Sequence, residues 1–291
     1  KKIFQAGEVA GEEGVFVGVD LSQAELRAIA YMAADRELIR MYELGVNVHT
    51  ANTALLFHVR CPKEKPDDTN PATEAYLEEM VPKLLGSSMR YSEMPHAPKG
   101  KWKSIRTLAK NFCFGANYGA EAETLYTVIR SKRDPETLEL LFPTITLGEI
   151  EALKVAWEKL HPEIPRWWKT ICEDIQRRGY YRCPLSGRIH WFRGGFKRNE
   201  MLNRPIQTLV ASWMNRQTVK IDRMLMEEFG GTAQIVLQVH DALTVECRAR
   251  DAQRVGEIML ACLNEKFYLP GFPEATFPAD KIDIGKYLNE V

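Results

Sequence analysis

The sequence lacks several features that would place the protein in a membrane, outside the cell or around a structural metal. No apolar run approaches the roughly 20 residues that a membrane-spanning helix needs, and the first residues contain no apolar signal-peptide core. The six cysteines form no CxxC pair, so neither a zinc ribbon nor a redox motif is expected and a reduced intracellular setting is the simplest interpretation. Neither sign of charge is in excess, because 39 Lys and Arg residues balance 39 Asp and Glu residues. We therefore expect a cytoplasmic, non-secreted protein without a membrane partner, whose basic groups are concentrated locally.

What the 291 residues do contain is enough apolar sequence, 45% of the chain, to form one large domain or two smaller ones. Short apolar runs predict a strand at 15–19 and two hairpins, 180–182 with 189–192 and 235–239 with 243–247. Helical spacing predicts helices at 22–45, 74–85, 105–129, 149–178 with a break near 161–165, 203–229 and 252–267. Six prolines between residues 61 and 98 interrupt the pattern, so the segment 59–101 is expected to be an insertion outside the core.

Two acidic residues, Asp20 and Asp241, lie at the ends of predicted strands. A carboxylate at such a position can point into a cleft while the strand fixes its backbone, which suits a hard cation such as magnesium. Taken alone, Asp20 is also an ordinary helix N-cap, and Asp241 is also an ordinary solvent-facing turn residue. The positions themselves leave both interpretations open.

One predicted helix carries two cations and two aromatic residues at intervals of four: Arg106, Lys110, Phe114 and Tyr118. This spacing places all four along one stripe of the helix. The cations suit the phosphates of a nucleotide and the rings suit its sugar and base. The spacing alone equally fits a helix with a solvated basic end and aromatic residues in the core.

Three strings that contain these residues, in order along the chain, resemble the three motifs of family A DNA polymerases, the DNA polymerase I-like enzymes. Residues 20–27, DLSQAELR, resemble motif A, usually DYSQIELR, and NVHT at 47–50 resembles the D-I-H-T that follows it. Residues 106–119 match the motif B signature R-x3-K-x3-F-G-x2-Y-G. Residues 238–241, QVHD, resemble motif C, usually Q-V-H-D-E. The pair Gly119-Ala120 is similar to the phage-type branch of the family.

The resemblance implies a role for each of these residues in nucleotide addition. Asp20 and Asp241 would bind two Mg²⁺ ions, for which Mn²⁺ can substitute, and the backbone carbonyl of Leu21 would ligate one of them. Lys110 would protonate the leaving pyrophosphate. The implied nucleotide-binding residues are Arg106, Lys110, Phe114 against the sugar, Tyr118 near the templating base, Glu25 as a steric gate against the 2′-hydroxyl, and His49.

Two further strings and one motif C residue imply contacts with primer-template DNA. Residues 203–207, NRPIQ, resemble the family's N-x-P-x-Q segment, and residues 177–188 resemble its R-R-G-Y…L-x-G-R hairpin. By this resemblance Asn203 and Gln207 reach the minor groove, Arg188 binds DNA, and His240 contacts the primer-terminal phosphate. Three positions depart from the family pattern: Leu21 replaces Tyr, Thr208 replaces Gly, and Ala242 replaces the Glu after motif C.

The resemblance also implies a fold and a function. The fold class is α+β (mixed α/β): an antiparallel palm sheet backed by helices, with a mainly helical fingers subdomain. The expected division is 1–58, palm and start of the fingers; 59–101, insertion on the fingers side; 102–178, fingers; and 179–291, palm. The expected function is DNA-directed DNA polymerase, acting on primer-template DNA and dNTPs with a partner polypeptide that carries the thumb and exonuclease-like parts, in a bacterial or phage-infected cell.

Two alternatives remain. The first is a single-subunit RNA polymerase, which shares the fold and the metal pair. Membership of that class, however, predicts a small residue at the position of Glu25. A catalytically weakened DNA-binding or accessory subunit is supported by Ala242.

Overall fold

The computed structural model of the protein describes residues 4–63, 65, 68–85, 88–97, 101–133, 138–269 and 274–291. The chain forms two compact units. Unit 1 comprises Lys1–Ala28, Gly179–Arg193 and Arg204–Val291, and unit 2 comprises Ile29–Arg178 and Gly194–Asn203. In the described part of the chain, no helix is both long enough and apolar enough to cross a membrane.

All of the named strands lie in unit 1. They are β1 (Glu8–Val9), β2 (Glu12–Asp20), β3 (Tyr180–Arg182), β4 (Ile189–Trp191), β5 (Ala233–Val239), β6 (Ala242–Arg248), β7 (Lys266–Phe267), β8 (Ala275–Thr276) and β9 (Asp283–Gly285).

The main sheet of unit 1 is antiparallel, with the strand order β1-β2-β6-β5 and with β9 also paired to β2. Strand β2 contains the predicted 15–19 run, and its residues Val17 and Val19 are buried. Their neighbours on β6, Leu243 and Val245, are buried as well. The predicted strand and both predicted hairpins are confirmed, because alternation and apolar runs are local properties of the sequence.

Ten helices are assigned to the described residues. They are α1 (Ala24–Ala33), α2 (Arg36–Glu43), α3 (Val48–Phe57), α4 (Pro71–Leu85), α5 (Trp102–Asn117), α6 (Ala122–Arg130), α7 (Leu147–Leu160), α8 (Glu163–Arg178), α9 (Arg198–Phe229) and α10 (Ala252–Leu263).

Helix α10 packs against β2 and β6 and buries one face of the sheet. The prediction that this helix continues to residue 267 is wrong. Asn264 redirects the chain, because its side-chain amide donates to the carbonyl of Ala279 at 3.0 Å and its Oδ1 accepts from the N–H of Ala279 at 2.7 Å. Residues Lys266–Phe267 then pair with β8 instead of continuing the helix.

Unit 2 is mainly helical, and its breaks follow from local chemistry. The predicted helix at 105–129 is two helices, because Gly119 adopts a left-handed φ of 68° after α5 that other residues adopt only at a cost. The predicted break at 161–165 falls between α7 and α8. Pro165 lies within the first turn of α8, where its missing N–H is tolerated. The α+β fold class, with an antiparallel sheet backed by helices and a mainly helical second part, is confirmed.

The expectation that the segment 59–101 lies outside the core is wrong for its described residues, which belong to unit 2 together with α5. Helix α4 packs on α3 and buries Tyr76, Leu77 and Val81. Cys61 and Ala97 form a buried cluster with Trp102, the first residue of α5. The prolines therefore do not prevent this segment from packing, and α4 itself begins at Pro71 and contains Pro82.

Candidate active site

The two predicted metal-binding acids lie side by side at one end of the main sheet. Asp20 is the last residue of β2, and Asp241 occupies the turn that joins β5 to β6. The ladder pairs Asp20 with Ala242, and the N–H of Leu21 donates a hydrogen bond of 3.1 Å to the carbonyl of Asp241. The backbone of the sheet thus holds the two acids next to each other.

The electrostatics of this pair favour a bound cation. Burial raises the pKa of Asp20, the charge of Asp241 raises it further, and a hydrogen bond from the backbone of Leu21 partly offsets both effects. Burial likewise raises the pKa of Asp241; its own backbone N–H lowers it, Glu25 raises it and His240 lowers it. Partly desolvated carboxylates that repel one another make ionisation costly, and a divalent cation relieves that cost.

The turn that carries Asp241 has an unusual backbone. His240 adopts a φ of 54°, in the left-handed region that costs roughly 1–2 kcal/mol for a residue with a Cβ atom. The flanking strands hold the residue there, because Val239 pairs with Ala242 and Gln238 with Leu243 directly beside the turn. Strain of this kind concentrates at functional sites, and here it fixes where His240 and Asp241 leave the sheet.

Beside the acids lies a cleft of about 260 Å³. Helix α1 contributes Glu25 to its wall, and α9 contributes Gln207 with two small or medium apolar residues. The complete lining is Glu25, Gln207, Val210, Ala211, His240 and Asp241. The structure thus brings together the predicted steric gate, a predicted metal ligand and two predicted DNA-binding residues.

The donor set of Asp20, Asp241 and the Leu21 carbonyl fits magnesium. Among the described residues there is no group of three or more His, Cys, Asp or Glu side chains that could hold a metal ion. Magnesium does not require such a cage, because it is usually bound by one or two carboxylates together with water and substrate phosphates. Two carboxylates with raised pKa values are therefore enough side-chain ligands for a magnesium site.

The predicted nucleotide-binding stripe lies in unit 2 along α5. The opposite face of this helix is buried through Ala109, Phe112 and Ala116, whereas Lys110 is exposed. Phe114 is 59% exposed and meets Tyr118 edge to face at 5.3 Å between ring centroids. The interpretation of the aromatic residues as core is excluded for Phe114, whereas Tyr118, just after the end of α5, is half-buried. An exposed aromatic side chain on a helix that also carries cations is a surface suited to a ligand.

His49 lies on α3 and faces the same cations. Its pKa is lowered to about 4, first by burial and then by the positive charges of Lys110 and Arg106. The imidazole is therefore neutral at physiological pH, and the two cations make this part of unit 2 locally positive. The site supplies a place for negatively charged groups in a chain whose net charge is zero.

Two residues that the sequence analysis did not identify hold the C-terminal end of α5. The indole N–H of Trp168 donates to the carbonyl of Asn117 at 3.2 Å, and Arg198 donates to the carbonyl of Gly119 at 2.5 Å. The guanidinium of Arg198 also lies 5.5 Å over the Trp168 ring. They satisfy carbonyls that a helix end leaves free and so fix the backbone on both sides of Tyr118.

The remaining predicted DNA-binding residues are placed as follows. Arg188 is exposed beside the left-handed Gly187 in the β3–β4 hairpin. A hydrogen bond of 2.9 Å between the hydroxyls of Ser186 and Ser212 ties this hairpin to α9. Asn203, also on α9, is partly buried, and its Oδ1 has no hydrogen-bond partner in the described structure. This oxygen is buried, so the structure leaves a buried acceptor unsatisfied at a predicted DNA-binding residue.

Unit 1 thus carries two carboxylates at one end of an antiparallel sheet, and unit 2 carries two cations on α5 with two aromatic rings at and just after its C-terminal end. The family model described as DNA polymerase family A matches residues 92–270, more than half of the chain. The chain belongs to this family.

Individual relatives agree with this assignment. The chain is 27% identical over 259 residues to the thermostable DNA polymerase I of Thermus aquaticus, a match that covers 86% of this chain and 24% of that protein. It is 24% identical over 271 residues to DNA polymerase I of Treponema pallidum, covering 90% of this chain and 22% of the relative. The chain thus spans about a quarter of the length of these relatives.

A solved structure shows the same fold. The POL domain of Pol1 from M. smegmatis, determined in complex with DNA primer-template and dNTP, superposes with a TM-score of 0.69 and 17% identity. The similarity covers 98% of this chain and 41% of that one.

Proposed function

We propose that this chain is the catalytic part of a DNA-directed DNA polymerase, which adds dNTPs to a primer 3′-hydroxyl by two-metal phosphoryl transfer. The observation that carries the proposal is the pair Asp20 and Asp241. Two partly desolvated acids at the ends of neighbouring strands have raised pKa values, and such pairs are costly to maintain without a function.

Phosphoryl transfer needs positioning and charge neutralisation more than covalent chemistry from the protein. When bound by Asp20, Asp241 and the Leu21 carbonyl, two Mg²⁺ ions would activate the primer hydroxyl and stabilise the leaving pyrophosphate. Arg106 and Lys110 add fixed positive charge for the phosphates, and Lys110 is proposed to donate a proton to the pyrophosphate. His49 is neutral beside them and can accept or donate a hydrogen bond.

The aromatic and polar residues are proposed to select the substrate. Exposed Phe114 would pack against the incoming sugar, and Tyr118, held by the clamped end of α5, would stack near the templating base. Glu25 lines the cleft beside Asp241, where its bulk would exclude a 2′-hydroxyl. His240 and Gln207 in the same cleft, with Asn203 and Arg188, would contact the primer-template.

A primer-extension assay tests the function. The chain, supplemented with any polypeptide that completes the polymerase, is incubated with primer-template, Mg²⁺ and dNTPs, and Asp20→Asn and Asp241→Asn are compared with wild type. We expect each substitution to reduce extension by at least about a hundredfold, since each removes charge from the metal site. The matched control is Asp222→Asn, an exposed acid on α9, which should retain activity. Extension that is insensitive to Asp241→Asn would falsify the metal assignment.

The two alternative functions give different results in the same assay. A single-subunit RNA polymerase would extend with NTPs as readily as with dNTPs, whereas Glu25 in the cleft favours dNTPs. Glu25→Ala is expected to relax this selection. An inactive accessory subunit would bind primer-template without extending it, and Ala242→Glu would then not restore activity.

We also propose that full activity needs polypeptide beyond these 291 residues, on the same chain or on a partner that carries thumb and exonuclease-like parts. The support is that the matched region is only about a quarter of each relative. If the 291 residues alone extend primers processively, this part of the proposal fails.

A further inference from the structure

A carboxylate from the segment 59–101 lies beside a proposed phosphate-binding cation. Oδ1 of Asp68 is 3.8 Å from Nε of Arg106, and both side chains are partly exposed. That Nε atom is itself buried and donates no hydrogen bond within the described part of the chain. The contact is therefore an ion pair without a hydrogen bond at Nε, and it leaves Arg106 able to interact with a further negative group.

Asp68 is held in place by contacts that do not involve Arg106. The indole N–H of Trp102, one turn before Arg106 on α5, donates to the other carboxylate oxygen at 2.8 Å. The backbone carbonyl of Asp68 accepts hydrogen bonds from the hydroxyl of Thr50 and from the side-chain amide of Asn47, the latter at 3.3 Å. Trp102 is buried. The backbone of Asp68 and its carboxylate are therefore each held by contacts other than the one to Arg106, and the carboxylate cannot turn away without losing the hydrogen bond from Trp102.

We propose that Asp68 is a fixed counter-charge that sets the affinity of the chain for the triphosphate of its incoming nucleotide. This inference rests on the proposed function and adds to it a residue that sets the affinity for the nucleotide. A triphosphate that approaches Arg106 must share the guanidinium with the carboxylate and is repelled by its charge. The nucleotide is then bound less tightly than the cations alone would bind it, and pyrophosphate leaves more readily after reaction.

Two other acids among the described residues of this segment have different partners. Glu79 pairs with Arg40 at 2.5 Å and with Lys83 at 2.7 Å, and Glu93 accepts from the backbone of Arg90 at 2.8 Å. Glu79 therefore supplies a matched control, since it carries the same charge in the same segment without a contact to Arg106.

The test is Asp68→Asn, which removes the charge but keeps an oxygen for the Trp102 N–H. Equilibrium binding of a dNTP and KM for the same dNTP are measured in the full chain with primer-template. We expect the dissociation constant and KM to fall about two- to fivefold, the range for a partly exposed ion pair, with kcat unchanged. The gain should shrink as salt is raised, because screening weakens the repulsion. A purely structural role would instead lower stability and would not produce tighter binding.

Two further variants test whether Asp68 changes nucleotide affinity through Arg106. In an Arg106→Gln background, Asp68→Asn should no longer change the affinity, and Glu79→Gln should leave it unchanged in the wild-type background. Unchanged or weaker binding by Asp68→Asn overturns the inference, as does an equal gain in the Arg106→Gln background.

Inorganic triphosphate serves as a second probe that needs neither template nor chemistry. If primer extension is absent even with the completing polypeptide present, but Asp68→Asn still tightens triphosphate binding, the proposed function fails and the counter-charge stands. If extension depends on Asp241 but neither probe responds to Asp68→Asn, only the counter-charge is rejected.

Discussion

At the scale of single residues, the acid pair at the end of the main sheet should cost the protein stability. The pKa values of Asp20 and Asp241 are raised by burial and by neighbouring acids. A group whose pKa is raised on folding stabilises the fold below its unfolded pKa and loses that contribution as the pH rises through the folded value. At neutral pH the metal-free chain therefore carries unrelieved repulsion.

We predict that Asp241→Asn raises the free energy of unfolding of the metal-free chain at pH 7, by up to about 1 kcal/mol, while abolishing the stabilisation by Mg²⁺. Chemical denaturation with and without Mg²⁺ measures both effects, and Asp222→Asn controls for loss of charge alone. A metal-free variant that is less stable than wild type at pH 7 would contradict the prediction.

His49 provides a second prediction at this scale. Its pKa is about 4 because burial and two cations disfavour the imidazolium ion. Binding of a triphosphate brings negative charge to those cations, so the pKa of His49 should rise toward its usual value of about 6.5. Between these values, nucleotide binding should take up a proton and should strengthen as the pH falls.

Histidine ring chemical shifts, followed by NMR from pH 4 to pH 7 with and without dNTP, measure this change. Arg106→Gln and Lys110→Gln should each raise the pKa of His49 in the free chain. A wild-type His49 that titrates near 6.5 without nucleotide would show that the cations do not act on it.

At the scale of elements, the end of α5 depends on one glycine. Gly119 has a φ of 68°, and a Cβ atom built on it would lie 2.7 Å from a side-chain carbon of Leu202 and 3.2 Å from Nη1 of Arg198. We predict that Gly119→Ala lowers the free energy of unfolding by roughly 1–3 kcal/mol, because it adds left-handed strain and a clash. The same change should weaken dNTP binding, since it displaces Arg198 from the carbonyl that it clamps.

Gly148→Ala is the matched control for this prediction. Gly148 lies in α7, has no left-handed φ and has open space where a Cβ would be. There the substitution should be neutral or stabilising by up to about 1 kcal/mol. If chemical denaturation gives the same change in the free energy of unfolding for both substitutions, Gly119 has no special role.

The elements also show what the sequence could and could not reveal. Strand 15–19 and the hairpin around Asp241 were predictable, because apolar runs and a polar turn are local signals. The end of α10 was not, since Asn264 stops the helix by bonding to Ala279, a residue brought close only by the fold.

The candidate site also contains residues that the sequence could predict and residues that it could not. Literal strings identified Asp20, Asp241 and the α5 stripe, whereas the isolated acids and the helical spacing left other interpretations open. Asp68 and Arg198 escaped detection because their partners are distant in sequence. Arg198 lies 79 positions from Gly119, and no periodicity connects residues so far apart.

At the scale of the whole molecule, net charge and length bear on DNA binding. The 291 residues carry 39 basic and 39 acidic groups, while affinity for duplex DNA comes largely from cations that neutralise phosphates. The relatives are about four times as long as the matched region. Under the proposed function, a substantial part of the DNA-binding surface is therefore expected outside these residues.

We predict that the isolated chain binds primer-template weakly and that the remaining polymerase polypeptide lowers the dissociation constant at least about tenfold. Affinity for free dNTP should change little, because its proposed contacts lie within this chain. Fluorescence anisotropy at two salt concentrations measures DNA binding, with Arg188→Gln as a probe of this chain's own contribution. Native DNA affinity in the isolated chain would refute the prediction.

The hydrogen bond from Leu21 to Asp241, together with the pairing of Asp20 with Ala242, has a consequence for how the protein evolves and is assayed. Successive strand residues point to opposite faces, so a slip of one position between β2 and β6 would turn the two acids away from each other. The proposed metal site therefore depends on the register of the sheet, and insertions within either strand should abolish Mg²⁺ binding where insertions in loops are tolerated. If the acids bind Mg²⁺ as proposed, a Mg²⁺ titration of the chain also measures the fraction of molecules with the correct strand register.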